Sequence, residues 1–335
     1  MAPLIQAINA EYLHDIPEGG VSVYKGTVDP EWTIVAVPHG GYVLGLIIEA
    51  AIKKQLSTSH RDPIHVTAHF LRSASVAPFE VHIRILKAGR GFTNLTADFV
   101  QDGQIRIMTH IVFGTLADPA DSDPSSAASR SSLTLQPPSP YARRIPFYTL
   151  PSQCPSVRAK RRWRFDRCLN LVNDPVYIER AKVPREGMEW GLYLSLTDER
   201  ERITTPSLAF MADMFVAVDE VIKDGPQAAT RHRSWAPTMV MTIEFKFPIP
   251  PPSNPDHDPR TVAIYSSGRF MNDPQARHDT YVEVWTAPPS SGNGPLKENW
   301  REGQRCLAVS TQMALLVPME INRKKGQKDV QAAKL

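Results

Sequence analysis

The sequence predicts an α+β chain in which one unit, an apolar helix followed by four antiparallel strands, occurs twice. Three observations predict it. Segments 42–53 and 206–218 are apolar on nearly every side and longer than ten residues, which fits buried helices better than strands. Each is followed by strand-like runs that alternate apolar and polar residues. The two sets occur in the same order, and an internal repeat far longer than a solenoid period is the signature of a fused dimer.

In chain order, Val21 to Lys25 reads as a strand, and Pro38-His39-Gly40-Gly41 leads into the first helix. Strands follow near 64–71, 79–86, 92–100 and 105–113, with Gly89-Arg90-Gly91 and Asp102-Gly103 supplying hairpin turns. Residues 118–186 are rich in Pro, Ser and Ala and then basic, a linker composition. The second unit opens with a strand at 190–196, continues with the helix at 206–218, and ends with strands near 238–247, 261–268, 279–286 and 305–317. The expected organisation is therefore 1–117, a linker at 118–186, a second unit at 187–320, and a basic tail at 321–335. Ala333-Lys334-Leu335 is a variant of the Ser-Lys-Leu peroxisomal address, so a peroxisomal location is expected, and a cytoplasmic one otherwise.

Composition narrows the function. The net charge of +3 gives no strong field for nucleic acid or an acidic membrane surface, and neither is expected as a partner. No apolar run reaches transmembrane length. Three scattered cysteines, Cys154, Cys168 and Cys306, make neither a disulfide framework nor a thiolate metal site. His65 and His69 would suit a metal on a helix, but on a strand they lie about 13 Å apart, so no metal is expected. No G-x-S-x-G elbow is present for a serine hydrolase. The basic stretch 158–164 reads as a solvated linker face, with RNA or the phosphates of coenzyme A as weaker readings.

Three polar side chains stand out against apolar neighbours: Asp213 in the second helix, Thr238 at the start of the next strand, and Gln312 in the last strand. A carboxylate, a hydroxyl and a carboxamide in hydrophobic elements cost free energy unless they satisfy one another or act on something. Thr242 falls on the same face as Thr238 if the strand is regular, so the choice between the two hydroxyls stays open. In the first unit Gly45 stands in the position of Asp213 and His110 in that of Gln312, so one trio per chain is expected.

The ordered set formed by Pro38-His39-Gly40-Gly41, by His65, Phe70, Leu71 and Arg72, by the two hairpin turns and by Asp213, Thr238 and Gln312 resembles the TesB-type acyl-CoA thioesterases, the thioesterase II family. The resemblance covers 20–117 and 187–318. It implies a double hotdog, with two antiparallel sheets each wrapped around a long central helix. It also implies hydrolysis of an acyl-CoA to free acid and CoA, without a cofactor or a covalent intermediate. Asp213 would then be the general base or orient the water, with Thr238 and Gln312 holding that water. His39, Gly40, Gly41 and Thr242 would contact substrate, and a backbone N–H near a helix start could hold the thioester oxygen. Two alternatives stay open: a tailoring enzyme of secondary metabolism that releases a polyketide chain or dehydrates an acyl group, for which His39 is the candidate, and a non-catalytic acyl-binding protein. Further self-association into a homo-oligomer, through sheet edges or helix faces, is also open.

Overall fold

Two helices lie side by side against one long antiparallel sheet. The computed structural model describes residues 2–116, 139–155, 163–183, 188–215, 234–289 and 299–332. The first six strands of the sheet are β1 (Glu11–Ile16), β2 (Val21–Thr27), β3 (Asp62–Phe70), β4 (Pro78–Ala88), β5 (Thr93–Gln101) and β6 (Gln104–Gly114). The second six are β7 (Leu169–Asn173), β8 (Met188–Leu196), β9 (Thr238–Phe245), β10 (Thr261–Gly268), β11 (Arg277–Thr286) and β12 (Cys306–Ala314). Among the described residues the α-helices are α1 (Leu4–Ala7), α2 (Gly40–Gln55), α3 (Pro175–Arg180), α4 (Thr205–Ala212) and α5 (Met319–Ala332).

The strands lie in the order β1-β2-β4-β5-β6-β3-β9-β12-β11-β10-β8-β7. Read inward from each edge, the second six repeat the order of the first six, and α2 and α4 occupy matching places in chain order. The expectation of two separate sheets is corrected at the centre. There β3 hydrogen-bonds to β9, with Thr67 opposite Thr242, so the two halves share one sheet. The expected linker is also corrected. Its residues 169–173 form β7, the partner of β8 and the counterpart of β1. Ile145, Phe147 and Tyr177 from the same stretch pack on Tyr193, Tyr265 and Trp285.

The inner face of the sheet follows from alternation. Thr93–Gln101 alternates buried and half-buried residues throughout, and Leu95, Ala97 and Phe99 face the helices. α2 is buried along most of its length and carries Lys53 and Lys54 in its last turn, where cations complement the helix dipole. α4 is capped by Thr204, whose hydroxyl accepts the Ser207 N–H while Ser207 accepts from the Thr204 N–H. The two helices approach closely. A Cβ on Gly41 would stand 2.4 Å from the Ala209 carbonyl oxygen, and one on Gly45 would stand 2.9 Å from that of Pro206.

The helix expected at 206–218 ends at Ala212, so Asp213 is its C-cap rather than an interior residue. Its N–H donates to the Ala209 and Phe210 carbonyls. β9 carries a bulge between Thr238 and Val240, which reverses the parity expected of a regular strand. Met241, Ile243 and Phe245 face the core, whereas Thr242 lies on the outer face, where its hydroxyl meets Thr311 Oγ1 at 2.6 Å. Thr242 is thereby removed from the expected substrate-contacting set. His110 is corrected likewise. It pairs with Thr67 on the outer face, as Thr311 pairs with Thr242, so it is not the counterpart of the inward Gln312.

The tail expected from 321 onward is replaced, within the described residues, by α5. Met319 packs on Val37 and Trp235, and the side-chain oxygen of buried Asn322 accepts the Ala36 N–H at 3.1 Å. Ala333, Lys334 and Leu335 lie outside the described residues. Among the described residues no helix is long and apolar enough to cross a membrane, and no group of three His, Cys, Asp or Glu side chains could hold a metal ion.

Candidate active site

The N-terminus of α2 lies beside the C-terminus of α4, and the polar trio assembles at that junction. Asp213 leaves the end of α4 and its Oδ2 accepts the Gly41 N–H at 2.6 Å. That amide is one of the donors a helix start leaves free, and the positive end of the helix dipole favours the carboxylate. Thr238 Oγ1, turned inward by the bulge, lies 3.3 Å from Asp213 Oδ1 and 3.1 Å from Gln312 Oε1. Gln312, 5 % exposed on the inner face of β12, donates from Nε2 to the Ala212 carbonyl at 2.9 Å. Three elements distant in sequence thus bring the carboxylate, hydroxyl and carboxamide within hydrogen-bond reach.

Thr238 has one hydroxyl proton and two acceptors within range, Asp213 Oδ1 and Gln312 Oε1. Whichever it serves, the other is left for a donor such as water. Burial pushes the Asp213 carboxyl up to about 7, against the Gly41 N–H and the Thr238 and Gln312 contacts, which pull it down. Desolvation wins, and the group is poised between acid and base near neutral pH. Beside it, His39 caps the N-terminus of α2 without a capping hydrogen bond from its side chain, and its Nδ1 lies 3.4 Å from Asp213 Oδ2. Burial lowers this imidazole to about 3, so it stays neutral where Asp213 titrates.

A cavity of about 410 Å³ opens onto Asp213, Thr238, His39 and Gly40. That volume falls within the range of small-molecule sites, roughly 300–1,000 Å³. Its walls are largely apolar: Phe70 from β3, Trp163 and Phe165 from the stretch expected to be linker, Trp235, and Met319 with Ile321 from α5. Of the residues expected to contact substrate, His39 and Gly40 line this space. Gly41 serves Asp213 instead, and Thr242 is on the far face of the sheet. Two cations, Arg72 and Lys325, also border the cavity, the latter with Nζ 5.2 Å from the centre of the Trp235 ring.

Sequence reasoning missed the aromatic wall and the α5 wall. For α5 the available signal was Met319, at the end of the expected second unit, and Ile321, the first residue of the expected basic tail. The Asn322→Ala variant is expected to lose about 1–3 kcal/mol by leaving the Ala36 N–H unpaired. It is also expected to raise KM severalfold for any ligand of this cavity, as the α5 wall loosens. Urea unfolding together with substrate titration measures both effects, and an unchanged KM would show that α5 does not shape the site.

Residues 28–114 match the family of acyl-CoA thioesterase N-terminal domains. The curated protein of ustilagic acid biosynthesis cluster orf2 from Mycosarcoma maydis is 28 % identical over 118 residues, 31 % of this chain. That match spans 30 % of the relative's length. Among solved structures, a Thermobifida fusca protein assigned as a thioesterase II superposes with a TM-score of 0.66 at 20 % identity, over 95 % of this chain and 98 % of that one. An Alicyclobacillus acidocaldarius protein with a hotdog fold gives 0.64 at 17 % identity, over 94 % and 97 %. The acyl-CoA thioesterase II TesB2 of Mycobacterium marinum gives 0.61 at 14 % identity, over 94 % and 98 %. The chain therefore shares the hotdog fold of these solved structures, and its residues 28–114 match the family of acyl-CoA thioesterase N-terminal domains.

Proposed function

We propose that the chain is a fused pair of hotdog units that hydrolyses an acyl-CoA, or a related acyl thioester, to free acid and thiol. The observation that carries this reading is the meeting of Asp213, Thr238 and Gln312, the first two at the wall of a largely apolar cavity. A water held between the Thr238 hydroxyl, the Gln312 carboxamide and the Asp213 carboxylate gives up its proton to Asp213 as its oxygen attacks the thioester carbon. The C=O electron pair moves onto oxygen, whose developing charge calls for a hydrogen-bond donor other than the Gly41 N–H, already held by Asp213. Collapse re-forms the C=O bond and breaks C–S, and the proton leaves Asp213 for the thiolate. Holding the water replaces a bimolecular encounter with a prepared geometry. No covalent enzyme intermediate enters.

The apolar lining fits an acyl chain, and Arg72 with Lys325 at the same cavity fit the phosphates of its carrier. A second reading concerns context rather than chemistry. The likeness to an ustilagic acid biosynthesis cluster protein favours a tailoring hydrolase that frees an acyl group during secondary metabolism. Thiol release by the full chain from a panel of acyl-CoAs, and from acyl groups on carrier-protein phosphopantetheine, tests both readings. Release from CoA esters is expected under the first, and a preference for carrier-bound acyl groups under the second. If neither set yields free thiol, the hydrolytic reading is wrong.

A further inference from the structure

We propose that His39 is a catalytic residue of this same reaction: its imidazole donates Nε2–H to the thioester carbonyl oxygen, while Nδ1 accepts a hydrogen bond from Asp213 once that carboxyl holds the proton taken from water. The inference rests on the hydrolytic reading above and adds the group that faces the developing oxyanion.

Four observations lead to it. His39 is 3 % exposed, yet its Nδ1 has no hydrogen-bond partner, an arrangement that ordinarily costs free energy. Asp213 Oδ2 lies 3.4 Å from that Nδ1 and is already bound at 2.6 Å to the Gly41 N–H. An ionised carboxylate offers a lone pair to Nδ1 and no proton. A protonated one donates, and the unpaired atom gains its partner at the moment Asp213 has acted as base. The ring also borders the cavity, and with Nδ1 turned to Asp213 its other polar atom, Nε2, is the one available to a ligand. Finally, the Gly41 N–H, a natural oxyanion donor at a helix start, is occupied by Asp213, so a further donor is needed.

The electron balance is that of the hydrolysis itself. Nε2–H is not transferred, and its hydrogen bond strengthens as negative charge gathers on the carbonyl oxygen and weakens when C–S breaks. Such a bond acts on the transition state more than on bound substrate. A neutral imidazole suits this task, because an imidazolium beside Asp213 would instead lower the carboxyl's affinity for the proton. Phe165 and Phe210 hold the ring, with centroids 5.7 Å and 4.8 Å away. The charged or titratable side chains among the described residues lining the cavity are His39, Asp213, Arg72 and Lys325.

The test has two arms on the full chain. Nitrogen-15 NMR of labelled histidines is expected to find His39 as the neutral Nε2–H tautomer from about pH 6 to 8, a window in which ordinary histidines titrate. The Nδ1–H tautomer, or a protonated ring in that window, would overturn the proposal. In the second arm, His39→Phe, which keeps an aromatic ring between Phe165 and Phe210, is expected to lose about 10²-fold or more in kcat with KM within about threefold. His39→Gln, which restores an N–H donor, is expected to recover at least about tenfold of that loss. Wild-type turnover by His39→Phe alongside an inactive Asp213→Asn overturns the role of His39 and leaves the hydrolytic reading standing. An active Asp213→Asn removes that reading too. If His39→Phe does not fold, the tautomer of the wild-type ring decides alone.

Discussion

Asp213→Asn is expected to lose thioester hydrolysis by about 10³-fold or more and, above neutral pH, to melt at a higher temperature than the parent. Both effects have one cause. The carboxyl is buried at the junction of α2 and α4, and desolvation holds it up to about 7 despite the Gly41 N–H and the Thr238 hydroxyl. In the unfolded chain it titrates near 3.8. Below that value both states carry the proton and the group leaves stability unchanged. Between the two values the folded chain keeps a proton that the unfolded chain has released, so stability falls as pH rises. Above about 7 both states are ionised, and the folded state bears the full cost of a buried carboxylate, of the order of 4 kcal/mol. An amide escapes that cost while still offering an oxygen to the Gly41 N–H. The melting temperatures of the two proteins should therefore converge near pH 4 and separate by several degrees at pH 8. Wild-type kcat/KM should climb through pH 7 as the carboxylate forms. Parallel melting curves across that range would show that the carboxyl is not strained by burial.

What the sequence made legible and what it hid follow different physics. Asp213, Thr238 and Gln312 could be picked out because each is polar in an element whose other residues are apolar, and such contrast survives in one dimension. The strands with an inward face, such as β5, were legible because alternation is forced by a one-sided core. The edge strands were not. β1 and β7 each pair on one side only, and β1 has no buried residue to impose a period. The bulge in β9 was hidden as well. It depends on how Thr238 and Val240 register against Ala314 and Met313, a relation between two strands that neither strand encodes alone. One extra residue there decided which of two threonines reaches Asp213. Trp163 and Phe165 were lost inside a basic stretch, since an aromatic in such a segment carries no period to say where it points.

Gly41→Ala is expected to cost more stability than any other single methyl added along α2, and the glycines of that helix form a graded series. At Gly41 the new carbon would stand 2.4 Å from the Ala209 carbonyl oxygen, 2.6 Å from Asp213 Cβ and 2.9 Å from Phe210 Cα. Two of those three atoms are backbone, so the clash is relieved only by moving α4 away from α2. That shift would open the contact that buries Ala209 and Phe210, for a cost on the order of 3 kcal/mol or more. It would also draw Asp213 from Gly41 N–H and from Thr238, so turnover should fall in the fraction that still folds. Gly45→Ala meets the Pro206 carbonyl oxygen at 2.9 Å and the end of the Ile8 side chain at 3.0 Å, a lesser clash expected to cost about 1–2 kcal/mol. Gly40→Ala meets Asp213 Oδ2 at 3.1 Å and Phe70 Cε1 at 3.4 Å, both side-chain atoms that can yield. It should fold nearly as well as the parent, yet crowd the carboxylate and the cavity wall, with its main loss in kcat. Chemical denaturation of the three variants with parallel acyl-CoA assays reads the series. Equal stability losses at 40, 41 and 45 would mean that the close approach of the two helices does not govern this junction.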